Sequence, residues 1–142
     1  PCLGLTTMEC IGAAVSDRMD GLVTVLGSKR NEFYLQVFDA DGDALSKLIV
    51  TSPEKLIGIV ADYVAVGANL VIAGDVGVQA ATRLEEAGYS VKVSDILYPD
   101  AAIVAKLAAE RWVPGQKVSR PAPVYLKPPD AVIPLNGGSL RT

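Results

Sequence analysis

The stretch Asn69–Gly88, "NLVIAGDVGVQAATRLEEAG", decides how this chain is read. Asn69 to Ala73 form an apolar, strand-like run, and Gly74-Asp75-Val76-Gly77 reads as a turn. The residues after the turn have helical spacing, with Val78, Ala81 and Leu84 as their expected inward set and Gly88 placed to cap the C-terminus. Asp75 suits the cap at the start of that helix. Strand, glycine turn and helix is also an order in which nucleotide phosphates are held, because N–H groups at a helix start face the anion. The turn is therefore a phosphate loop, the remnant of one, or a plain turn.

Working outward, "YSVKV" is a further short strand, and Asp100 caps a last helix. The inward set there is Ile103, Val104, Leu107, Ala108 and the stem of Arg111. Upstream, Ser52-Pro53-Glu54 starts a helix, with Ser as cap and Pro at the first position. Its broad apolar face runs from Leu56 to Val64. Before it stand three strand-like runs, "GLVTVL" (21–26), "EFYLQVF" (32–38) and "ALSKLIV" (44–50). The turn-formers "GSKRN" and "DADGD" join them, so an antiparallel meander is expected. The chain opens with a capping box, Thr6 and Glu9, and with Met8, Ile11, Val15 and Met19 on one helical face.

The order α-βββ-α-β-α-β-α belongs to the α/β class: a mixed sheet with helices on both faces. Ribonuclease-H-like folds and each half of the actin-like (ASKHA) superfamily have this order. The lobe is expected over 1–115. The Pro-rich tail, 116–142, cannot be an internal helix. It is expected to lie extended on the lobe, with Val124, Tyr125 and Leu126 docked, Trp112 as anchor, and a loose end.

Composition narrows the chemistry. The 142 residues suit one domain, and half of them are hydrophobic. No run approaches ~18 consecutive apolar residues, so no membrane span is expected. The net charge of −3 argues against a strong grip on RNA by this chain alone. There is no histidine, which removes Ser-His-Asp and Cys-His catalysis and imidazole metal sites. Two cysteines, Cys2 and Cys10, suit a reduced, cytoplasmic setting. No metal site is expected.

No catalytic residue emerges. A two-metal nuclease of this fold needs a carboxylate on its first strand, and "GLVTVLGSKRN" has none. "DADGD" resembles the start of a calcium loop, but the twelfth position holds Val50 instead of glutamate. Cys10 reads as packing within a helix. Lys29 and Arg30 sit at a hairpin tip, where they suit either solvent or a phosphate or acidic partner. At the glycine turn, Asp75 stands where actin-like ATP binders carry a second glycine, and its charge repels a polyphosphate. Gly74, Asp75 and Gly77 are thus the weak, degenerate candidates for a cofactor site.

Three segments carry a family resemblance. "GLTTMECIGAAV" (4–15) looks like the helix opening the second lobe of the TsaB (YeaZ) family. "VTVLGSKRNEFYLQVFDADGDAL" (23–45) resembles its hairpin motif, matched here by Arg30, Glu32 and Tyr34, whose role the residues do not reveal. "RPAPVYLKPPDA" (120–131) is similar to its closing segment. The hairpin's usual aspartate falls at Gly27. The resemblance implies a non-catalytic scaffold for making threonylcarbamoyladenosine on tRNA in bacteria. Its partners would be a TsaD-type catalytic paralogue and a TsaE-type ATPase. ATP and tRNA would be met only through the complex. The family's older glycoprotease label finds no support in these residues. The resemblance covers a second lobe only, and "PCLGLTTMEC" reads as the interior of a longer protein, so a fragment is expected. Exposed sheet edges or a bared lobe interface would permit a homodimer. The alternative is an actin-like phosphotransferase whose first lobe completes the site.

Overall fold

The computed structural model describes residues 2–117 and 120–127. β1 (Gly21–Gly27), nearly all apolar, takes the centre of a five-stranded sheet ordered β3-β2-β1-β4-β5. β2 (Phe33–Phe38) pairs antiparallel with β1, and β3 (Ile49–Thr51) antiparallel with β2. β4 (Asn69–Ala73) lies parallel to β1 on the other side, and β5 (Ser90–Val93) parallel to β4. A parallel neighbour requires a crossover, which the helices supply.

Strand alternation sorts the core onto two faces. Val23, Val25, Leu35, Leu70 and Ile72 turn to one side, against Leu56 and Val60 of α2 (Leu56–Ala61) and Ala80, Ala81 and Leu84 of α3 (Gly77–Glu86). Leu22, Phe38, Val71 and Ala73 turn to the other, against Ile11 of α1 (Thr7–Ala14) and Val15. α4 (Ala101–Arg111) packs beside α1. Gly12 of α1 faces this core, where a Cβ would make ordinary contacts of 3.5 Å with Leu22 and Phe38. Buried Tyr89 donates its hydroxyl to the Val64 carbonyl at 2.9 Å, closing the chain beyond α2.

Several local expectations are corrected. The third strand is shorter than 44–50, because Ser46 Oγ accepts the Val37 N–H at 2.9 Å. Residues 44–48 are thereby held on β2 as a loop with a single bridge, Phe38 to Ala44. α1 stops at Ala14, and Met19, with φ 51°, lies outside it and exposed. Ser52 makes no side-chain cap, and a 3-10 turn, Pro53–Lys55, leads into α2. Val78 of α3 is 71% exposed, and the small residues Gly77, Ala80 and Ala81 face the sheet with Leu84. No residue of α4 is fully buried: Val104 and Arg111 are exposed, while Ile103, Leu107 and Ala108 are half-buried. Asp100 does cap α4, accepting the Ala102 N–H at 2.7 Å.

In the tail, Val124 and Tyr125 are exposed, as is Trp112, and Leu126 is half-buried. The expectation of a loose end, 128–142, lies outside the described residues.

Candidate functional site

β1 and β4 run parallel as neighbours, so their C-terminal ends emerge at the same end of the sheet. The glycine turn and the β1–β2 hairpin meet there. Gly74 has φ +123°, and a Cβ on it would lie 1.8 Å from the Val25 carbonyl oxygen. Its glycine is therefore required by the approach to β1, before any ligand is considered. The Gly74 N–H donates to the Ile96 carbonyl at 2.8 Å, and the Gly77 N–H to the Gly74 carbonyl at 3.1 Å.

Asp75 does not cap α3; the N-cap is Val76, which makes no side-chain bond. Instead Asp75 Oδ1 accepts the Gly27 N–H at 2.9 Å, tying the turn to the end of β1. A Cβ on Gly27 would meet Val76 Cγ1 at 2.7 Å. The two N–H groups at 74 and 77 are spent internally, and a carboxylate stands on the exposed tip. Chemically, that arrangement repels a polyphosphate more than it cradles one.

On the other side of Gly27, Ser28 orders the hairpin. Its hydroxyl accepts the Arg30 N–H at 3.1 Å and the Glu32 N–H at 3.2 Å. Its own N–H donates to the Glu32 carbonyl at 2.8 Å. Asn31 takes the left-handed conformation, φ 56°, that closes the turn. Arg30, Glu32 and Tyr34 then line one pocket of about 300 Å³ with Ser28, Lys29 and Lys127. Lys127 forms an ion pair with Glu32 across 95 residues of sequence. Tyr34 and Lys127 also border a larger, mostly apolar groove of about 860 Å³, whose walls include Met8, Leu26, Leu48 and Pro123.

The structure thus brings the three hairpin motif residues together and sets Gly74, Asp75 and Gly77 apart from their pocket. Sequence reasoning missed two members. Ser28 was legible as the first residue of a tight turn whose hydroxyl reaches forward along the backbone. Lys127 carries no local signal, because its partner lies at the far end of the chain.

Elsewhere the chain offers little reactive chemistry. Cys10 is buried; burial, then the charge of Glu9, pushes its thiol up, outweighing Arg111, so it is a poor nucleophile. Among the described residues no group of three His, Cys, Asp or Glu side chains gathers to hold a metal. Among them, too, no helix is long and apolar enough to cross a membrane.

No protein-family model and no curated protein matches the chain by sequence. Solved structures do match by fold. One is an uncharacterised protein described as similar to peptidase YeaZ from Pseudomonas aeruginosa, with TM-score 0.66 and 21% identity over 89% of this chain and 59% of that one. Another is YeaZ from Pseudomonas aeruginosa, with TM-score 0.54 and 16% identity over 78% of this chain and 51% of that one. The chain therefore shares the α/β fold of YeaZ-type structures, and spans between half and three-fifths of their length.

Proposed function

We propose that this chain is the second lobe of a TsaB-type protein. In this reading it is a non-catalytic partner of a TsaD-type paralogue in making threonylcarbamoyladenosine on tRNA. The lobe is read as ribonuclease-H-like and actin-like, supported by an antiparallel meander continued through two parallel crossovers with helices on both faces. The YeaZ-like fold supports the family reading.

The observation that carries the non-catalytic role is the closed glycine turn, in which Asp75 is held on Gly27 and the Gly74 N–H on Ile96. A turn filled by its own protein has kept the shape of a nucleotide site without its vacancy. ATP, the TsaE-type ATPase and tRNA are then met through the assembled complex, in the cytoplasm.

The test is calorimetric. The protein, in the longest form its gene encodes, is titrated with a TsaD-type paralogue, with and without ATP, and with ATP alone. Saturable binding to the paralogue and no heat from ATP alone is the expected result. Clear heat from ATP alone, with no binding of the paralogue, would overturn the scaffold role in favour of an actin-like phosphotransferase.

A further inference from the structure

α1 lies between two layers. Ile11 and Gly12 turn to the sheet, beside Leu22 and Phe38. Helical spacing puts Cys10 about 150° round from the middle of that pair, on the side of α1 away from the sheet. Cys10 is nevertheless only 3% exposed. Among the described residues, α4 is the helix packed beside α1. Burial, then Glu9, raise the Cys10 thiol and Arg111 of α4 opposes them, which places the end of α4 near Cys10. α4 is therefore the cover over that side of α1.

The cover is lightly held. α2 and α3 each bury residues fully, and α4 buries none. Ile103, Leu107 and Ala108 are half-buried, and the Lys106–Glu110 pair lies within α4 and ties it to nothing else. The tie across to α1 is Arg111 on Glu9 at 3.1 Å, with side chains 46% and 26% accessible. Both flanks can yield. Residues 97–100 and 113–117 are exposed, and Gly115, with φ +80°, stands in open space. Ile96, just before the first flank, is fixed by the Gly74 N–H.

We propose that α4 is a displaceable cover, which undocks from α1 as a unit while the sheet stays folded and so bares the Cys10 thiol. Arg111 on Glu9 is its latch. Proteins open first where few buried contacts hold a segment, and α4 is the helix of this lobe that meets that condition. Cys10 is inert while α4 is docked and becomes an accessible thiol when it is not. The capping box of α1 does not need α4, because Thr6 alone completes it with Glu9, so α1 keeps its start in the undocked state.

The experiment is thiol labelling of the whole chain. Cys2→Ser removes the exposed cysteine and leaves Cys10 alone. Reaction with a maleimide is followed by mass at rising urea, below the unfolding transition. Cys10 is expected to react about tenfold or more faster than global unfolding allows, and with a much weaker dependence on urea, because little surface is exposed when one helix leaves. Arg111→Ala is expected to speed the reaction about two- to fivefold, the range of a partly exposed ion pair. It is also expected to speed amide exchange in α4 and leave β1 and β4 amides unchanged. Lys106→Ala, on the same helix, is expected to change neither. Circular dichroism and melting establish that each variant is folded. Labelling that keeps the rate and urea dependence of global unfolding would overturn the proposal, since α4 would then be part of the cooperative core. Labelling at the rate of the unfolded chain would overturn it too, since nothing would then cover the thiol. So would an Arg111→Ala rate equal to that of its parent.

Discussion

An alanine at position 74 is expected to cost about 3 kcal/mol or more, because it adds backbone strain to a steric collision. The Cβ would fall 1.8 Å from the Val25 carbonyl oxygen, and the φ of +123° disfavours any side chain. Neither strand can retreat: Val25 and Ala73 are both fully buried in the sheet. Chemical denaturation of Gly74→Ala checks this, and a loss below about 1 kcal/mol would contradict the close approach. The need for glycine was legible in the sequence, but its cause was not. Strand, glycine, helix suggests a ligand near the backbone, and here β1 itself occupies that position. Gly27 follows the same logic. Gly27→Asp is expected to destabilise by about 1–3 kcal/mol through overpacking on Val76. It also sets a second carboxylate beside Asp75. Val76→Ala in the same molecule is expected to recover part of the loss, as a coupling energy in a double-mutant cycle. A side chain at position 27 is thus disfavoured for a physical reason within this chain: Asp75 and Val76 already fill that space.

At the scale of elements, α1 shows what sequence can and cannot reveal. Its capping box was legible from Thr6 and Glu9, and both halves form, with the Thr6 N–H donating to Glu9 Oε2 at 2.8 Å and the Glu9 N–H to Thr6 Oγ1 at 3.2 Å. Arg111 of α4, 3.1 Å from Glu9 Oε1, was not legible as its partner, because nothing local marks which helices adjoin. Burial pushes the Glu9 carboxyl up, but the Thr6 hydroxyl and N–H and the Arg111 guanidinium together hold it below its ordinary value. A depressed folded value means that the ionised form is the one folding favours. The stabilisation is therefore complete above the ordinary value of 4.5 and is lost as pH falls through the lower folded value. Urea midpoints of the wild type and Glu9→Gln are expected to converge as pH drops from about 6 to about 3. Parallel curves would mean that Glu9 contributes nothing through its charge. α3 shows the opposite case. Hydrophobicity pointed to Val78, yet the helix packs so near the sheet that a Cβ on Gly77 would already touch Val93 and Ile72 at 3.5 and 3.6 Å. Closeness selects small residues, and no hydrophobic scale registers that. The third strand moved for a comparable reason, since the Ser46 hydroxyl takes the N–H that a longer ladder would have used.

At the scale of the whole molecule, the sheet and the tail differ in what holds them. The sheet is closed by two apolar cores, and its strands and mixed character, though not the order in which the strands lie, followed from periodicity and turn chemistry spread along the chain. Residues 120–127 have no such core: Val124 and Tyr125 face outward, and the segment touches the lobe at Pro121 beside Gly4 and at Lys127 on Glu32. The Lys127–Glu32 pair is partly exposed, with side chains 34% and 26% accessible, so it is worth about 1 kcal/mol or less. That is enough to bias a segment without a buried core of its own and too little to affect the cores. Lys127→Glu is therefore expected to speed amide exchange and proteolysis across 120–127 while leaving the exchange of β1 and β4 amides and the melting temperature nearly unchanged. The swap, Glu32→Lys with Lys127→Glu, is expected to restore protection, because the attraction survives reversal while either charge alone does not. A fall in melting temperature as large as that of a core substitution would place the tail within the cooperative unit of the lobe. Unchanged exchange in both variants would mean that packing at Pro121 holds the segment without the ion pair.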